Sequence, residues 1–274
     1  MVETGRPARL SVTFVVRDEE DRLGEALSAV SFADEVVVVV DAASRDRSEA
    51  IAREAGARVL VREFAGFGPQ KNAAAEAATG PWILSIDADE VVPEELAREI
   101  RSLLASPAAG PDGDAPAAFR VPIRLVFLGR VLRFGRDTLV RPPRLYRKDR
   151  ARFSDAPVHE RLVVDGPVGT LRSPLLHRSY RDVTHYLEKL DSYTSLSAEA
   201  KARAGRRTKV PLLPLRVSWD FVDRAFLRLG FLDGLPGLVW AALSATSTLV
   251  KYLKLEERRL TGRGGGGEGP EGAT

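Results

Sequence analysis

The chain has no cysteine among its 274 residues. Disulfides and thiolate-bound metal are therefore excluded, and the composition fits a reducing compartment. It also lacks an excess of charge of either sign. Lys and Arg number 41 against 38 Asp and Glu, a net +3. The pI of 9.3 reflects that narrow margin and does not describe a surface built for nucleic acid, so no nucleic-acid partner is expected. No N-terminal basic region leads into an apolar core with a small-residue cleavage site, so no export signal is expected. Long apolar runs are missing too. The best candidate, 235–250, carries four hydroxyl side chains and falls short of the roughly 20 apolar residues that a spanning helix needs. What the chain does have is enough length for one substantial α/β domain plus an elaboration. Its basic residues gather in 120–152 and 201–209, which suits an anionic ligand or membrane surface, or simply solvated arginines.

The first hundred residues alternate between two patterns. Strands are expected at 10–16, 35–40, 58–61 and 82–86, and helices at 20–32, 45–55, 69–78 and 93–104. Ser44 can cap the second helix and Gly56 can end it, while Pro93 suits the first turn of the fourth. Strands alternating with helices of this length imply βαβ units and a mostly parallel sheet. The unbroken Val36-Val37-Val38-Val39-Val40 agrees, because parallel strands are covered on both faces. Residues 105–118 read as a Pro/Gly/Ala-rich loop. Beta segments follow at 119–132, 139–147 and 161–171, then helices at 182–204, 211–231 and 235–260. The glycine-rich 262–274 is expected to be disordered.

The segment Trp82-Ile83-Leu84-Ser85-Ile86-Asp87-Ala88-Asp89-Glu90 is an apolar strand that ends in three carboxylates. In extended chain, residues two apart leave the same face. Asp87 and Asp89 would then converge on one point, which suits a hard divalent cation, and such a cation suits a diphosphate. In open α/β sheets ligands bind beyond the carboxyl ends of the strands. Acids follow three of the four strands here, at Asp18-Glu19-Glu20, at Asp41 to Asp46 and at Asp87 to Glu90. A helix cap explains one acid in each cluster, Asp46 for example; three clusters at one edge favour a site.

Several further motifs stand in order: Arg17-Asp18-Glu19-Glu20, Gly66-Phe67-Gly68-Pro69-Gln70-Lys71-Asn72, Asp87-Ala88-Asp89-Glu90, Pro157-Val158-His159-Glu160-Arg161, His177-Arg178-Ser179-Tyr180 and Leu229-Gly230-Phe231-Leu232-Asp233-Gly234. With them the chain, from about 10 to 257, resembles the family 2 glycosyltransferases of GT-A fold, and within them the bacterial lipopolysaccharide core β-glucosyltransferase type. The resemblance implies a nucleotide-sugar-binding α/β half over 1–118, and an acceptor-binding and catalytic half of the same domain over 119–204. Amphipathic helices would follow over 205–261, with a tail over 262–274. It implies that Asp41 accepts a hydrogen bond from the base, uracil for a UDP-sugar, and that Asp18 and Glu20 line the nucleotide pocket. Lys71 and Asn72 would face the nucleotide, Asp87 would bind ribose or metal, and Asp89 would hold Mg²⁺ or Mn²⁺ on the diphosphate, making Asp87 and Asp89 the metal ligands. Glu160 is the candidate base for an inverting transfer, with His159 and Asp155 behind it; an ion pair with its flanking residues is the alternative. Arg141 and Arg144 could meet the diphosphate or an anionic acceptor, or be surface arginines. His177 reads as a residue that packs or hydrogen-bonds within the second half rather than binding metal.

The chain departs from the family pattern in three places. Ala42-Ala43-Ser44 stands where Ser-Gly-Ser is usual, Asp18 where Asn is usual, and 136–143 lacks the expected aromatics. The last departure concerns the acceptor, for which the resemblance implies a lipid-linked saccharide. A polyprenyl phosphate acceptor, or a non-catalytic nucleotide-sugar scaffold, are the alternatives. A nucleotidyltransferase is disfavoured because the loop after the first strand is too acidic to cradle a triphosphate. The segment 219–231 interleaves Arg224 and Arg228 with Phe221, Phe226, Leu227 and Leu229. With Lys251, Lys254, Arg258 and Arg259, it is expected to sit on an anionic membrane surface at the inner face of the cytoplasmic membrane; a cap or dimer contact is the alternative.

Overall fold

Four consecutive valines show how the sheet is built. In the computed structural model, which describes residues 10–106, 115–135, 140–155, 160–206 and 209–261, Val38 and Val40 join the apolar cluster on one face of strand β2 (Glu35–Asp41), and Val37 and Val39 join that on the other. All four are fully buried, each worth about 1.5–3 kcal/mol relative to exposure. Strand β1 (Leu10–Val16) lies parallel to β2 and to β4 (Trp82–Ser85), and β3 (Arg58–Arg62) lies parallel to β2. Helices α1 (Glu20–Ser28), α2 (Ser48–Glu54), α3 (Phe67–Ala77) and α4 (Glu94–Ala105) connect or follow these strands. Each parallel crossover expected from the sequence is present. Helix α1 ends four residues earlier than expected, and α2 starts three later because acidic side chains take the amides of Arg45, Arg47 and Ser48, as described below.

The chain divides into two compact units, one of 1–125 with 139–179 and one of 126–138 with 180–274. In the first, the sheet grows beyond β4 by β9 (Pro143–Arg147), antiparallel to both β4 and β6 (Ala118–Arg120), and ends on β12 (Val168–Thr170). The order is β12-β6-β9-β4-β1-β2-β3. Strand β13 (Leu175–His177) pairs with the short β5 (Glu90–Val91) and with β7 (Ile123–Phe127). Strands β10 (Ala151–Phe153) and β11 (Leu162–Val164) form a separate antiparallel pair. Alanines 73–75 bury the inner face of α3. Gly68 at its start allows the closest approach: a Cβ there would lie 2.1 Å from the carbonyl oxygen of Ser154 and 3.5 Å from Glu160 Cβ.

In the second unit, β8 (Arg130–Val131) forms a hairpin with the end of β7. The long helices α5 (Val183–Arg203) and α7 (Leu235–Leu260) pack around an aromatic cluster of Phe127, Tyr180, Tyr186 and Trp240. The single helix expected over 211–231 is broken into α6 (Leu213–Val222), a π-helical turn (Asp223–Leu227) and a 3-10 turn (Gly230–Asp233). The break has a purpose. It buries the Asp233 carboxylate, which accepts the backbone N–H groups of Arg133 at 3.0 Å and Phe134 at 2.9 Å. It also brings the Gly230 carbonyl so close to α7 that a Cβ at Gly237 would lie 2.0 Å from it. Among the described residues no helix is long and apolar enough to cross a membrane. The tail 262–274, residues 136–139 and His159 lie outside the described residues.

Candidate active site

Because β1 pairs in parallel with β2 and β4, with Val16 level with Val40 and Thr13 with Ser85, the residues after all three strands leave the sheet at one edge. The strand order reverses there, with β2 on one side of β1 and β4 on the other.

The centre of the site is a chain of alternating charges. Arg144 on β9 is largely but not fully buried, its side chain 12% exposed, and its Nη2 donates to Glu90 Oε1 at 2.6 Å and to Asp87 Oδ2 at 3.1 Å. Lys71, on the second turn of α3, is also buried. Its Nζ donates to Glu160 Oε1 at 2.9 Å, lies 3.6 Å from Asp87 Oδ1, and stands 5.4 Å over the Phe153 ring. Burial works against charge on Asp87, yet Arg144 and then Lys71 hold its carboxyl well below the usual range, at about 2. Glu90 shares the same arginine, but burial dominates there and pushes it up to about 6. Burial likewise opposes charge on Arg144, and Glu90 and Asp87 outweigh it, so its pKa is raised. The ion pair considered for Glu160 is present with Lys71, 89 residues away in sequence; of its two flanking residues, His159 lies outside the described residues and Arg161 forms no ion pair with it among the described residues. Asp155 is exposed and joins no ion pair among the described residues, and Arg141 is exposed.

Asp89 belongs to a second group. Its Oδ2 is 3.2 Å from His177 Nε2 and 3.6 Å from Arg22 Nη1, and its carbonyl accepts the Arg178 N–H at 2.7 Å. Burial would raise its pKa, but the His177 hydrogen bond and charge hold it below the ordinary value; His177 is raised in turn by Asp89, against its own burial. The residues Ile86 to Asp89 form a turn, closed by the Glu90 N–H on the Asp87 carbonyl at 3.0 Å. Strand alternation therefore does not set the direction of the two aspartates, and each carboxylate takes its own cations. His177 hydrogen-bonds, as the sequence implied, but its partner is an acid of the Asp-x-Asp pair.

The acids after β1 and β2 interlock two loops. Asp18 Oδ1 accepts the Arg45 N–H at 2.8 Å, and Glu20 Oε2 accepts the Arg47 N–H at 3.0 Å. Asp46 accepts the Glu20 N–H at 2.8 Å and the Ser48 N–H at 2.9 Å, which satisfies the first turns of α1 and α2. Burial slightly opposes charge on Asp46, and the Ser48 and Glu20 bonds lower its pKa. Asp18 has φ of 53°, a left-handed conformation in which Asp and Asn are among the better tolerated residues. That accounts for one standing in place of the other. Asp41 is buried; Oδ1 accepts the Ala43 N–H at 2.9 Å, and Oδ2 lies 3.4 Å from Arg17 Nη1. Asn72 is turned away from these groups. Its amide donates to the Phe153 carbonyl and accepts the Phe153 N–H, both at 2.9 Å.

The structure therefore joins Lys71, Asp87, Arg144 and Glu160 directly. It sets Asp89 with His177 and Arg22, keeps Asp18, Glu20 and Asp41 in the adjoining loops, and commits Asn72 to the backbone of β10. Glu90, Arg22 and the His177–Asp89 contact were not assigned from sequence. Only the apolar strand ending in acids pointed toward them.

The model of the family described as glycosyl transferase family 2 matches residues 11–157, more than half of the chain. The chain belongs to that family. An uncharacterised glycosyltransferase of Rickettsia typhi is 27% identical over 264 residues, 93% of this chain and 89% of that protein. The lipopolysaccharide core biosynthesis glycosyltransferase LpsC of Rhizobium meliloti is 28% identical over 258 residues, 89% of this chain and 93% of its own length. Among solved structures, residues 1–349 of S. aureus TarS in complex with UDP-GlcNAc align over 93% of this chain and 92% of that one, with a TM-score of 0.45 and 15% identity. The family 2 chain is a glycosyltransferase that uses a nucleotide sugar, and its sheet is of the GT-A type.

A divalent cation is a family expectation that the donor chemistry can meet. Asp87 and Asp89 supply hard carboxylate oxygens, both held ionised, and His177 adds a nitrogen beside Asp89. Among the described residues no three such groups are gathered into a ready-made cage. Any cation would take diphosphate oxygens as further ligands.

Proposed function

We propose that the protein moves a sugar, with inversion, from a UDP-sugar to a lipid-linked saccharide such as a lipopolysaccharide core. The observation that carries this reading is the Lys71–Glu160 contact beside Asp87. It brings a carboxylate from the second half of the chain to the carboxyl edge of the nucleotide-sugar sheet. In this reading Glu160 takes the proton from the acceptor hydroxyl as the new bond forms. Lys71 and Arg144 hold Glu160 and Asp87 in place and offset charge near the diphosphate. Asp41 accepts from the uracil N3–H, and Asp18 and Glu20 shape the loops around the base. Mg²⁺ or Mn²⁺ held by Asp87 and Asp89, with His177 beside Asp89, would neutralise charge on the departing diphosphate. The name of the Rhizobium relative supports the acceptor class. Exposed Leu215, Trp219, Phe226 and Leu227 support peripheral attachment to the inner face of the cytoplasmic membrane.

The test is thermal stabilisation of the purified protein by UDP, GDP and TDP with and without Mn²⁺, followed by hydrolysis of candidate donors. Stabilisation by UDP that deepens with Mn²⁺ is expected. Equal or absent responses to all three nucleotides would overturn the donor assignment.

A further inference from the structure

Helices α5, α6 and α7 enclose a cavity of about 730 Å³, lined by Lys201, Arg216 and Tyr252 and lipped by Leu212, Leu215 and Trp219. The charge around its Tyr252 is unusual. Three cations surround the single Tyr252 ring: Arg216 with Cζ at 4.5 Å, Lys251 with Nζ at 5.4 Å and Lys201 with Nζ at 5.8 Å from the centroid. The ring's negative face offsets part of that charge, but like charges so close still repel one another.

Nearby acids do not neutralise them. None of Lys201, Arg216 and Lys251 forms an ion pair among the described residues, and Asp220, the adjacent carboxylate, is engaged by Arg224 at 3.4 Å and Thr248 at 3.0 Å. Burial, together with Lys201 and Arg216, holds Lys251 below its ordinary pKa. The other basic residues that the sequence offered to a membrane are paired within the protein. Lys254 binds Asp191, Arg258 lies against Glu199, Arg259 against Glu256, Arg224 against Asp220 and Arg228 against Asp223. The uncompensated charge therefore lies in the cavity, at Lys201 and Arg216, and in the recess beside it, at Lys251, and the lip of the cavity is apolar and open, with Leu215 70% and Trp219 61% exposed.

We propose that this cavity is a binding site for the phosphate-bearing headgroup of an anionic phospholipid, with Lys201 and Arg216 on the phosphate, Lys251 adding positive charge from the adjoining recess, and the Leu212–Leu215–Trp219 lip against the acyl chains. A phosphate offers charge to both lining cations and offsets their repulsion with Lys251, and the lip has the apolar and aromatic character of a membrane-interface surface. The site deepens the peripheral-attachment reading, on which it rests, by replacing a diffuse basic surface with one defined pocket.

Calorimetric titration of the full chain with dihexanoyl phosphatidic acid, below its micellar concentration, tests the site. Binding of one lipid per chain is expected, weakened about fivefold by each removed charge and thus about 25-fold in Lys201→Gln/Arg216→Gln. Lys201→Gln alone should give the single-charge effect if the double variant melts early. Absence of saturable binding, or equal binding by the variants, overturns the site. Inorganic phosphate binding as well as the lipid overturns the lipid assignment. Flotation with phosphatidylglycerol vesicles separates the two readings. Flotation without binding of the soluble lipid refutes the pocket and keeps peripheral attachment, whereas binding of the soluble lipid without flotation supports the pocket and refutes attachment.

Discussion

Asp41→Asn is the sharpest test of the nucleotide assignment, because it changes charge and hydrogen-bond polarity while keeping shape. The wild-type carboxylate holds Ala43 N–H through Oδ1, and Oδ2 faces Arg17. An asparagine can keep the Ala43 bond with its carbonyl oxygen. It loses only a long contact to an arginine whose side chain is 58% exposed, and exposed ion pairs contribute about 0–1 kcal/mol. The melting temperature should therefore hardly move. Binding should move far more. Uracil N3–H would meet an amide NH₂ in place of a carboxylate, and a buried donor left unpaired costs about 1–3 kcal/mol, which is about 5- to 150-fold in Kd for UDP. Cytosine carries an acceptor at N3, so the preference for UDP over CDP should narrow or reverse in the same variant. Calorimetric titration with both nucleotides reads this directly. Unchanged UDP affinity with an unchanged UDP/CDP ratio would refute the placement of the base beside Asp41.

Asp89→Ala should abolish donor turnover while leaving the far-UV circular dichroism intact, and undiminished turnover would contradict its metal role. Glu160→Gln should slow transfer at least 100-fold, on the scale of a lost general base, yet leave UDP affinity within a few-fold; lost donor affinity would remove Glu160 from the base role. Gly68→Ala forces a Cβ to within 2.1 Å of the Ser154 carbonyl, so a loss of about 1–3 kcal/mol of stability and a fall in turnover are expected by denaturant titration and donor assay. Glu35 Oε2 accepts from Ser11 Oγ at 2.6 Å and from Thr79 N and Oγ1 at 2.7 and 3.0 Å. Burial opposes its charge but these bonds lower its pKa. Its contribution is thus complete above its ordinary pKa of 4.5 and fades as pH falls through the lowered value. Glu35→Gln should flatten that part of the acid-unfolding curve, and an unchanged curve would exclude Glu35 as a source of the slope.

The parallel core was legible because it rests on local signals. Valine runs, capping residues and glycine stops each fix one element, and together they imply the crossovers. The site was legible only as a place. That acids would meet at the edge of β1, β2 and β4 follows from topology, but their partners do not. Lys71 with Glu160 and Asp89 with His177 are separated by 89 and 88 residues, and no periodicity encodes such pairs. Strand alternation is not what places Asp87 and Asp89, for a specific reason: the strand ends at Ser85, and a turn follows it. The break within 211–231 escaped notice similarly, since the residue that rewards it, Asp233, bonds amides a hundred residues earlier.

The two hydrogen bonds from Asn72 to Phe153 have a consequence away from chemistry. They occupy the N–H and C=O that Phe153 turns away from β11, one place where a neighbouring strand from another molecule would otherwise attach. One side-chain amide thus closes the rim of a two-stranded ribbon to self-association. Its loss would be felt first as clumping at high protein concentration, before any change in the sheet that carries the nucleotide.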